Sequence, residues 1–552
     1  MLQLFAFPVL LLLSDVVSSH FIVETLPGFN GKLPFTLETG YIGVREDENV
    51  QLFYFFVESE RDPQNDPLML WLTGGPGCSG LSSFVYEIGP LTFDYANSSG
   101  NFPKLELNSN SWTKVANIIF IDQPAGTGYS YAKTAEAYNC NDTLSVTQTF
   151  EFLRKWLMDH PEYLKNPLYV SGDSYSGIFV ALLTHKIYDG VEVGDKPPVN
   201  IKGYIQGNAL TDHYIDFNDR IEYANRMGLI SDKIYQSTKA NCNGNYTDVD
   251  PNNISCLNDL QRVARCLKNI RRAHILEPWC DLPFLMSILQ ETPTYCPFRK
   301  NYIYSYSWAN DRSVQKALNV REVPREPSHV YDVQSVIDDH RHLTSKSCRA
   351  LIYSGDHDMV VSHLSTEKWI DTLKLPIVDD WEPWFVDGQV AGYKVKYSEN
   401  DYELTYATVK GAGHTAPEYK PEQCLPMVIG LPCILFYVVE AVGALAPTPS
   451  QEESRLSSEN RRAEVEALRS KNKESKALNQ SLRKFYDEIK QTLDVFKEVL
   501  DNKLDLSSAL TEAEVNAAAA ESMVKDLQDS EGNNEDSLGP PGNRRCSRNH
   551  LN

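Results

Sequence analysis

The hexapeptide Gly172-Asp-Ser-Tyr-Ser-Gly177 stands between a short apolar run, Leu168-Tyr-Val-Ser171, and a long apolar helical pattern. A serine on so sharp a strand-to-helix turn is held with its hydroxyl exposed at the end of a sheet. Such a turn needs small neighbours, and Gly172, Ser176 and Gly177 supply them. The wording departs from G-x-S-x-G in Ser176 alone. The N–H groups at the start of the following helix face any negative charge that develops nearby. Four further apolar runs end in the same way. Leu68–Leu72 leads into Thr73-Gly-Gly-Pro-Gly77, and Ala116–Ile121 into Asp122-Gln-Pro-Ala-Gly-Thr-Gly128. Ala350–Ser354 leads into Gly355-Asp-His-Asp358, and Leu404–Val409 into Gly411-Ala-Gly-His414. Helical patterns such as Thr143–Met158 lie between them. Strands alternating with helices predict an α/β fold with a mostly parallel sheet flanked by helices. In such sheets function gathers where the strands end, which is where every one of these polar clusters stands.

A serine hydroxyl needs a base, and the base needs a carboxylate to orient it. His414 supplies the first, and Asp356 or Asp358 the second. The chain order is then Ser…Asp…His, the order expected on this fold. The acyl transition state also needs oxyanion donors. The Gly75 N–H and the Tyr175 N–H, which directly follows the nucleophile, are the natural pair. No Gly-Lys-Ser/Thr follows the Gly-Gly-Pro-Gly loop, which speaks against a phosphate loop. Nothing in the pattern calls for a metal or a cofactor.

The chain's margins set its expected surroundings. Residues 1–19 have an apolar heart at Val9–Leu13, and Val17 and Ser19 are small enough for cleavage before His20, as in a secretory signal peptide. Sequons at Asn97, Asn141, Asn245 and Asn253 and a total of 11 cysteines agree with an oxidising route. A secreted or vacuolar enzyme is therefore expected. The formal net charge of −22 excludes a nucleic-acid binder that works through a general basic surface. Residues 213–330 hold five cysteines and read as a helical, disulfide-pinned insertion. Residues 428–450 read as an apolar connector, with Pro432 inside and too marginal for a membrane span. From 451 to 530 the chain has no Gly, Pro, Cys or Trp. Leu478, Leu482, Phe485, Ile489, Leu493, Phe496 and Leu500 form a heptad-like stripe there, so a helical coiled-coil tail capable of self-association is expected. Residues 531–552 are polar and expected to be disordered.

The five motifs together, Trp71–Ser79, Asp122–Ser130, Gly172–Gly177, Tyr353–Asp358 and Gly413–Pro417, resemble the serine carboxypeptidase-like family over residues 20–427. The resemblance implies an α/β-hydrolase fold with a helical insertion and a triad of Ser174, Asp358 and His414. Asp358 matches the family's catalytic acid, the second Asp of its Gly-Asp-x-Asp loop. True carboxypeptidases carry Asn before the Gly-Gly pair and Glu before the nucleophile, and these help bind the free carboxylate of a peptide terminus. Here Thr73 and Asp173 stand beside Gly74 and Ser174 at those substrate-binding positions, a wording similar to the plant acyltransferase branch. That branch implies acyl transfer from a glucose ester to an alcohol or amine. The rival expectation is a peptidase acting on peptide C-termini, and a third is an idle hydrolase fold that serves assembly through its tail. Members pair the oxyanion-loop cysteine with one after the helix around Ser313–Val320, where this chain has none. Cys78 either bonds to Cys348 or stays a thiol, and Cys242–Cys256 and Cys280–Cys296 are the other candidate bridges.

Overall fold

The computed structural model describes residues 20–430 apart from 46, 96, 99–101, 279–296 and 322–327. The signal peptide, the Cys280–Cys296 bridge, the coiled tail and the last polar stretch fall outside the described residues.

Eleven strands form one path through a twisted sheet: β1 (His20–Ile22), β2 (Leu37–Val44), β3 (Val50–Val57), β4 (Leu68–Leu72), β5 (Asn117–Ile121), β6 (Leu168–Asp173), β7 (Ile201–Gly207), β8 (Arg349–Gly355), β9 (Ile377–Val386), β10 (Gln389–Glu399) and β11 (Tyr402–Val409). Their spatial order is β1-β2-β3-β5-β4-β6-β7-β8-β11-β10-β9. The inner strands from β5 to β11 run parallel, and antiparallel pairs close both edges. Parallel strands covered on both faces read as continuous apolar runs, and β4 and β5 are buried throughout. Alternation divides their side chains between two cores. Leu68, Leu70, Leu72 and Ile119 pack on one face of the sheet, and Met69, Trp71, Ile118 and Phe120 on the other.

The flanking helices are α1 (Asp142–Asp159), α2 (Ser176–Glu192), α3 (His213–Arg226), α4 (Asp232–Cys242), α5 (Ile254–Leu267), α6 (Pro297–Ala309), α7 (Arg312–Ala317), α8 (Ile337–Leu343), α9 (His363–Thr372) and α10 (Pro421–Gly430). Asparagine and aspartate N-caps begin several of them. The Asn141, Asp212 and Asn253 side chains accept from backbone N–H groups in the first turns of α1, α3 and α5. In its described residues the expected insertion holds the helices α3 to α7, and a Cys242–Cys256 disulfide ties the end of α4 to the start of α5. Asn97 is exposed, while Asn141, Asn245 and Asn253 are half-buried.

Of the two alternatives left open for Cys78, the structure keeps the thiol: Cys78 and Cys348 do not pair. Cys78 follows the end of β4, while Cys348 precedes the start of β8, so parallel strands hold the two at opposite ends of the strands. The hydrolase body also runs past 427. Met427 and Val428 are buried in α10, because that turn packs on the core instead of leaving it as a connector. Among the described residues, no helix is long and apolar enough to cross a membrane.

Candidate active site

Strand β6 ends at Asp173, and the chain turns at Ser174 with a φ of +56° before α2 begins at Ser176. A non-glycine residue in this left-handed region is strained, and the surrounding packing holds it there. The Ser174 N–H donates to the Gly207 carbonyl at 3.0 Å, and the Leu210 N–H donates to the Ser174 carbonyl at 2.8 Å. The small neighbours are required by contact. A Cβ on Gly172 would lie 2.3 Å from the Leu72 carbonyl oxygen and from Ser176 Oγ. A Cβ on Gly177 would lie 2.3 Å from the Leu210 carbonyl oxygen. Ser176, the departure from the usual motif, fits because its hydroxyl donates back to the Asp173 carbonyl at 2.7 Å.

The loops after β6, β8 and β11 converge. His414 Nε2 lies 2.7 Å from Ser174 Oγ, and His414 Nδ1 lies 2.7 Å from Asp358 Oδ2. Asp358 is fully buried and accepts from the Val360 and Val361 N–H groups at 2.7 and 3.1 Å. Asn208 Nδ2 donates to the same carboxylate at 3.0 Å, and Asn208 Oδ1 accepts from the Gly355 N–H at 3.0 Å. Burial lowers the His414 pKa, but the Asp358 charge and hydrogen bond outweigh it and leave the ring above its ordinary value. Asp356 has other partners. Its Oδ1 lies 2.6 Å from His357 Nδ1 and accepts from the Gly411 N–H at 2.7 Å. The insertion reaches the same place, since the His414 N–H donates to the Ala273 carbonyl at 2.7 Å. A hydroxyl, an imidazole and a buried carboxylate in line can deprotonate the hydroxyl for attack on an acyl carbon and return the proton to the leaving group.

The Thr73–Gly77 loop packs directly on this elbow. A Cβ on Gly74 would lie 2.5 Å from Ser174 Cβ and 2.9 Å from the Tyr175 nitrogen. That closeness puts the Gly75 and Tyr175 amides beside Ser174. Asp122 braces the loop, accepting from Ser79 Oγ at 2.7 Å and from the Gly80 and Tyr129 N–H groups at 2.8 and 2.7 Å. The Thr73 and Ser83 hydroxyls share a hydrogen bond of 2.9 Å, and Ser83 Oγ accepts from Trp71 Nε1 at 2.8 Å. Asp173 accepts from the Gly74 N–H at 3.3 Å.

A cleft of about 580 Å³ opens over Ser174 and His414. Cys78, an exposed thiol, lines its mouth. Its wall carries Tyr86, Tyr129, Tyr302 and Tyr306, and its floor carries Glu87, Asp173 and Glu418. Glu87 and Asp173 are both buried and touch, and burial lifts both above the usual carboxylate range; the Asp173 charge lifts Glu87 further, while the His414 charge and the bonds from Gly74 and Glu87 restrain Asp173 at about 6. Desolvation pushes Glu418 up to about 8, although Thr415 Oγ1 donates to it at 2.6 Å. Sequence reasoning missed Glu87, Asn208 and Glu418. Glu418 stands four residues after His414, close enough to the motif to be suspected. Glu87 and Asn208 belong to no recognisable spacing.

Residues 27–430 match the family described as Serine carboxypeptidase. Among curated proteins, serine carboxypeptidase-like 19 of Arabidopsis thaliana is 43% identical over 444 residues, covering 75% of this chain and 94% of that one. Serine carboxypeptidase-like 8 of the same plant is 45% identical over 435 residues, covering 76% and 96%. Among solved structures, Kex1(delta)p, a prohormone-processing carboxypeptidase from Saccharomyces cerevisiae, superimposes with a TM-score of 0.60 at 19% identity. That match covers 74% of this chain and 94% of the yeast chain, and it shows the shared fold. On its sequence, its sheet and the convergence of its three loops, this chain belongs to the serine carboxypeptidase family of α/β-hydrolase enzymes.

Proposed function

We propose that this enzyme transfers an acyl group from a glucose ester to an alcohol or amine, in the secretory route or the vacuole. Ser174 attacks the ester carbonyl, and His414 takes its proton and delivers it to the departing sugar oxygen. Asp358 orients the ring, and the Gly75 and Tyr175 amides hold the oxyanion. The acceptor hydroxyl then takes the place of water. The observation that carries this reading is the floor of the cleft. A free peptide carboxylate would need donors beside Ser174. Thr73 spends its hydroxyl on Ser83, and Asp173 offers an acceptor to Gly74. Among the residues whose side chains are described, which leave out 297–301 and 303, no lysine or arginine lines the cleft. A sugar suits the same surface, since its hydroxyls donate to carboxyl oxygens and the C–H faces of its ring stack on tyrosines.

A second reading, removal of C-terminal residues from peptides, draws on the raised Glu87–Asp173 pair. In acid that pair carries a proton, which a substrate carboxylate could accept. The two readings separate on incubation with a glucose ester plus an alcohol, and with C-terminally blocked and unblocked peptides. Transfer to the alcohol with both peptides intact is expected. Shortening of the unblocked peptide alone would establish the peptidase and defeat the transferase reading. The double variant Thr73→Asn with Asp173→Glu should raise kcat/KM for the unblocked peptide about 10- to 100-fold, the worth of one hydrogen bond to a charged group. No gain would mean that these positions do not select the substrate.

The tail is proposed to be separable from catalysis, because the triad is complete by His414. A chain stopped near Pro449 should keep its acyl-transfer rate and lose any self-association seen in sedimentation. A truncated chain that is folded yet inactive would contradict this.

A further inference from the structure

A cluster on the far side of the nucleophile's helix has no part in the chemistry above. His185 and Asp189 stand one turn apart on α2, and Asp339 and His342 stand three residues apart on α8. The two pairs meet. His185 Nδ1 lies 2.7 Å from Asp339 Oδ1, and His185 Nε2 lies 3.3 Å from Asp189 Oδ2. His342 Nε2 lies 3.1 Å from Asp189 Oδ1, and the two imidazoles stack with centroids 3.9 Å apart.

We propose that His185 Nε2, His342 Nε2 and the Asp189 carboxylate form a binding site for a divalent transition-metal ion, zinc, with Asp339 orienting His185. The argument begins with hydrogen placement. An ionised carboxylate only accepts, so the Nδ1 that meets Asp339 carries the hydrogen. Nε2, the ring's other nitrogen, then faces the Asp189 oxygens. A nitrogen and a carboxylate oxygen at that distance share a cation, either a proton or a metal ion. The spacing suits a metal. In a tetrahedral zinc site with bonds of about 2.0 Å, neighbouring ligand atoms lie about 3.3 Å apart. His185 Nε2 stands at that edge length from Asp189 Oδ2 and His342 Nε2 close to it from Asp189 Oδ1, and one ligand atom from each of the three residues lies within 4.8 Å of the others. The Asp339–His185 contact supplies the carboxylate–imidazole pairing that fixes ring orientation around a bound metal. Lys346 is the one nearby opposing charge in the cluster's ion pairs. Its Nζ sits 2.6 Å from Glu192 and 3.9 Å from Asp189, so Glu192 holds it. The site is partly open to water, which leaves a fourth position for a water molecule.

The trio of half-buried His20 with buried Glu38 and His160 is a weaker candidate. Glu38 already accepts from Tyr54 Oη at 2.6 Å and lies 3.0 Å from His160 Nε2, and the shifts of Glu38 and His160 are those of an ion pair.

A zinc ion at the first cluster would brace the nucleophile's helix against α8 from about 14 Å along its axis. The test dialyses the full chain against zinc chloride near neutral pH and counts zinc by elemental analysis. Wild type should hold one zinc that His185→Ala with His342→Ala loses. Asp339→Asn should weaken binding about 10- to 100-fold. Zinc should raise the unfolding midpoint of wild type and leave that of the double variant unmoved. Both proteins, metal-free, should turn over a small ester equally. Equal zinc uptake by wild type and the double variant would overturn the proposal, as would no uptake at excess zinc. Zinc retained by the double variant and displaced by a phosphonate on Ser174 would assign the metal to His414 instead. Zinc retained there but lost with His160→Gln would assign it to the trio of His20, Glu38 and His160.

Discussion

Replacing Ser174 with alanine is expected to abolish acyl transfer and labelling by a serine-directed phosphonate, with a loss on the order of 10⁴ or more in rate. The fold should survive. The strained φ at 174 is imposed by the Gly207 and Leu210 backbone contacts and not by the hydroxyl. Among the described residues the hydroxyl is bonded to His414 Nε2, so its removal deletes the attacking atom and leaves the elbow's backbone bonds in place. Wild type should take up one phosphonate per chain and the variant none. Labelling of the alanine variant at the wild-type rate would show that another residue is the nucleophile, and the proposed mechanism would fail.

The second large effect separates two aspartates two residues apart. Asp358→Asn should lower the rate by about 10⁴, because an amide facing His414 Nδ1 strands the ring in the wrong tautomer. Asp356→Asn should cost far less, since Asp356 holds His357 and the Gly411 N–H and does not reach His414. The pH profile adds a sign. His414 acts as a base only when neutral, so the rate rises as pH passes upward through its pKa. Burial pulls that pKa down, and Asp358 lifts it above 6.5. Removing the Asp358 charge should therefore move the acid limb of the residual activity to lower pH. A larger loss from Asp356→Asn than from Asp358→Asn would reverse the assignment of the two carboxylates.

The parts of this fold that could be read in the sequence are those whose physics is local. Buried parallel strands must be apolar on both faces, so β4, β5, β6, β8 and β11 announce themselves as continuous runs. The loops that end them carry the glycines demanded by backbone approach, as at Gly172 and Gly74. The β9–β10 hairpin was overlooked although it carries a usable signal. Asp387-Gly388 joins its strands with φ values of +49° and +73°, the two-residue turn that a right-handed strand twist prefers. The edge is also poorly patterned, with Ile377, Val378, Trp381 and Phe385 exposed, so no alternation marks β9. Glu87 and Asn208 could not be found in this way. Their importance comes from neighbours far away in the chain, Asp173 for one and Asp358 for the other. The Cys78–Cys348 alternative failed for a similar reason, because a count of cysteines carries no information on which end of the strands each one occupies.

The central claim is that one acyl-enzyme on Ser174 is shared between water and an alcohol. The direct measurement is to mix the full-length enzyme with a glucose ester, quench in acid, and weigh the peptide that contains Ser174. That peptide should carry the acyl group, and the group should vanish when alcohol is added before the quench. Raising the alcohol concentration should convert the product from free acid to ester while the total of the two follows the glucose released. Ester formation with no acylated Ser174 under any quench, and none in the presence of a donor without acceptor, would mean direct transfer and would contradict the account.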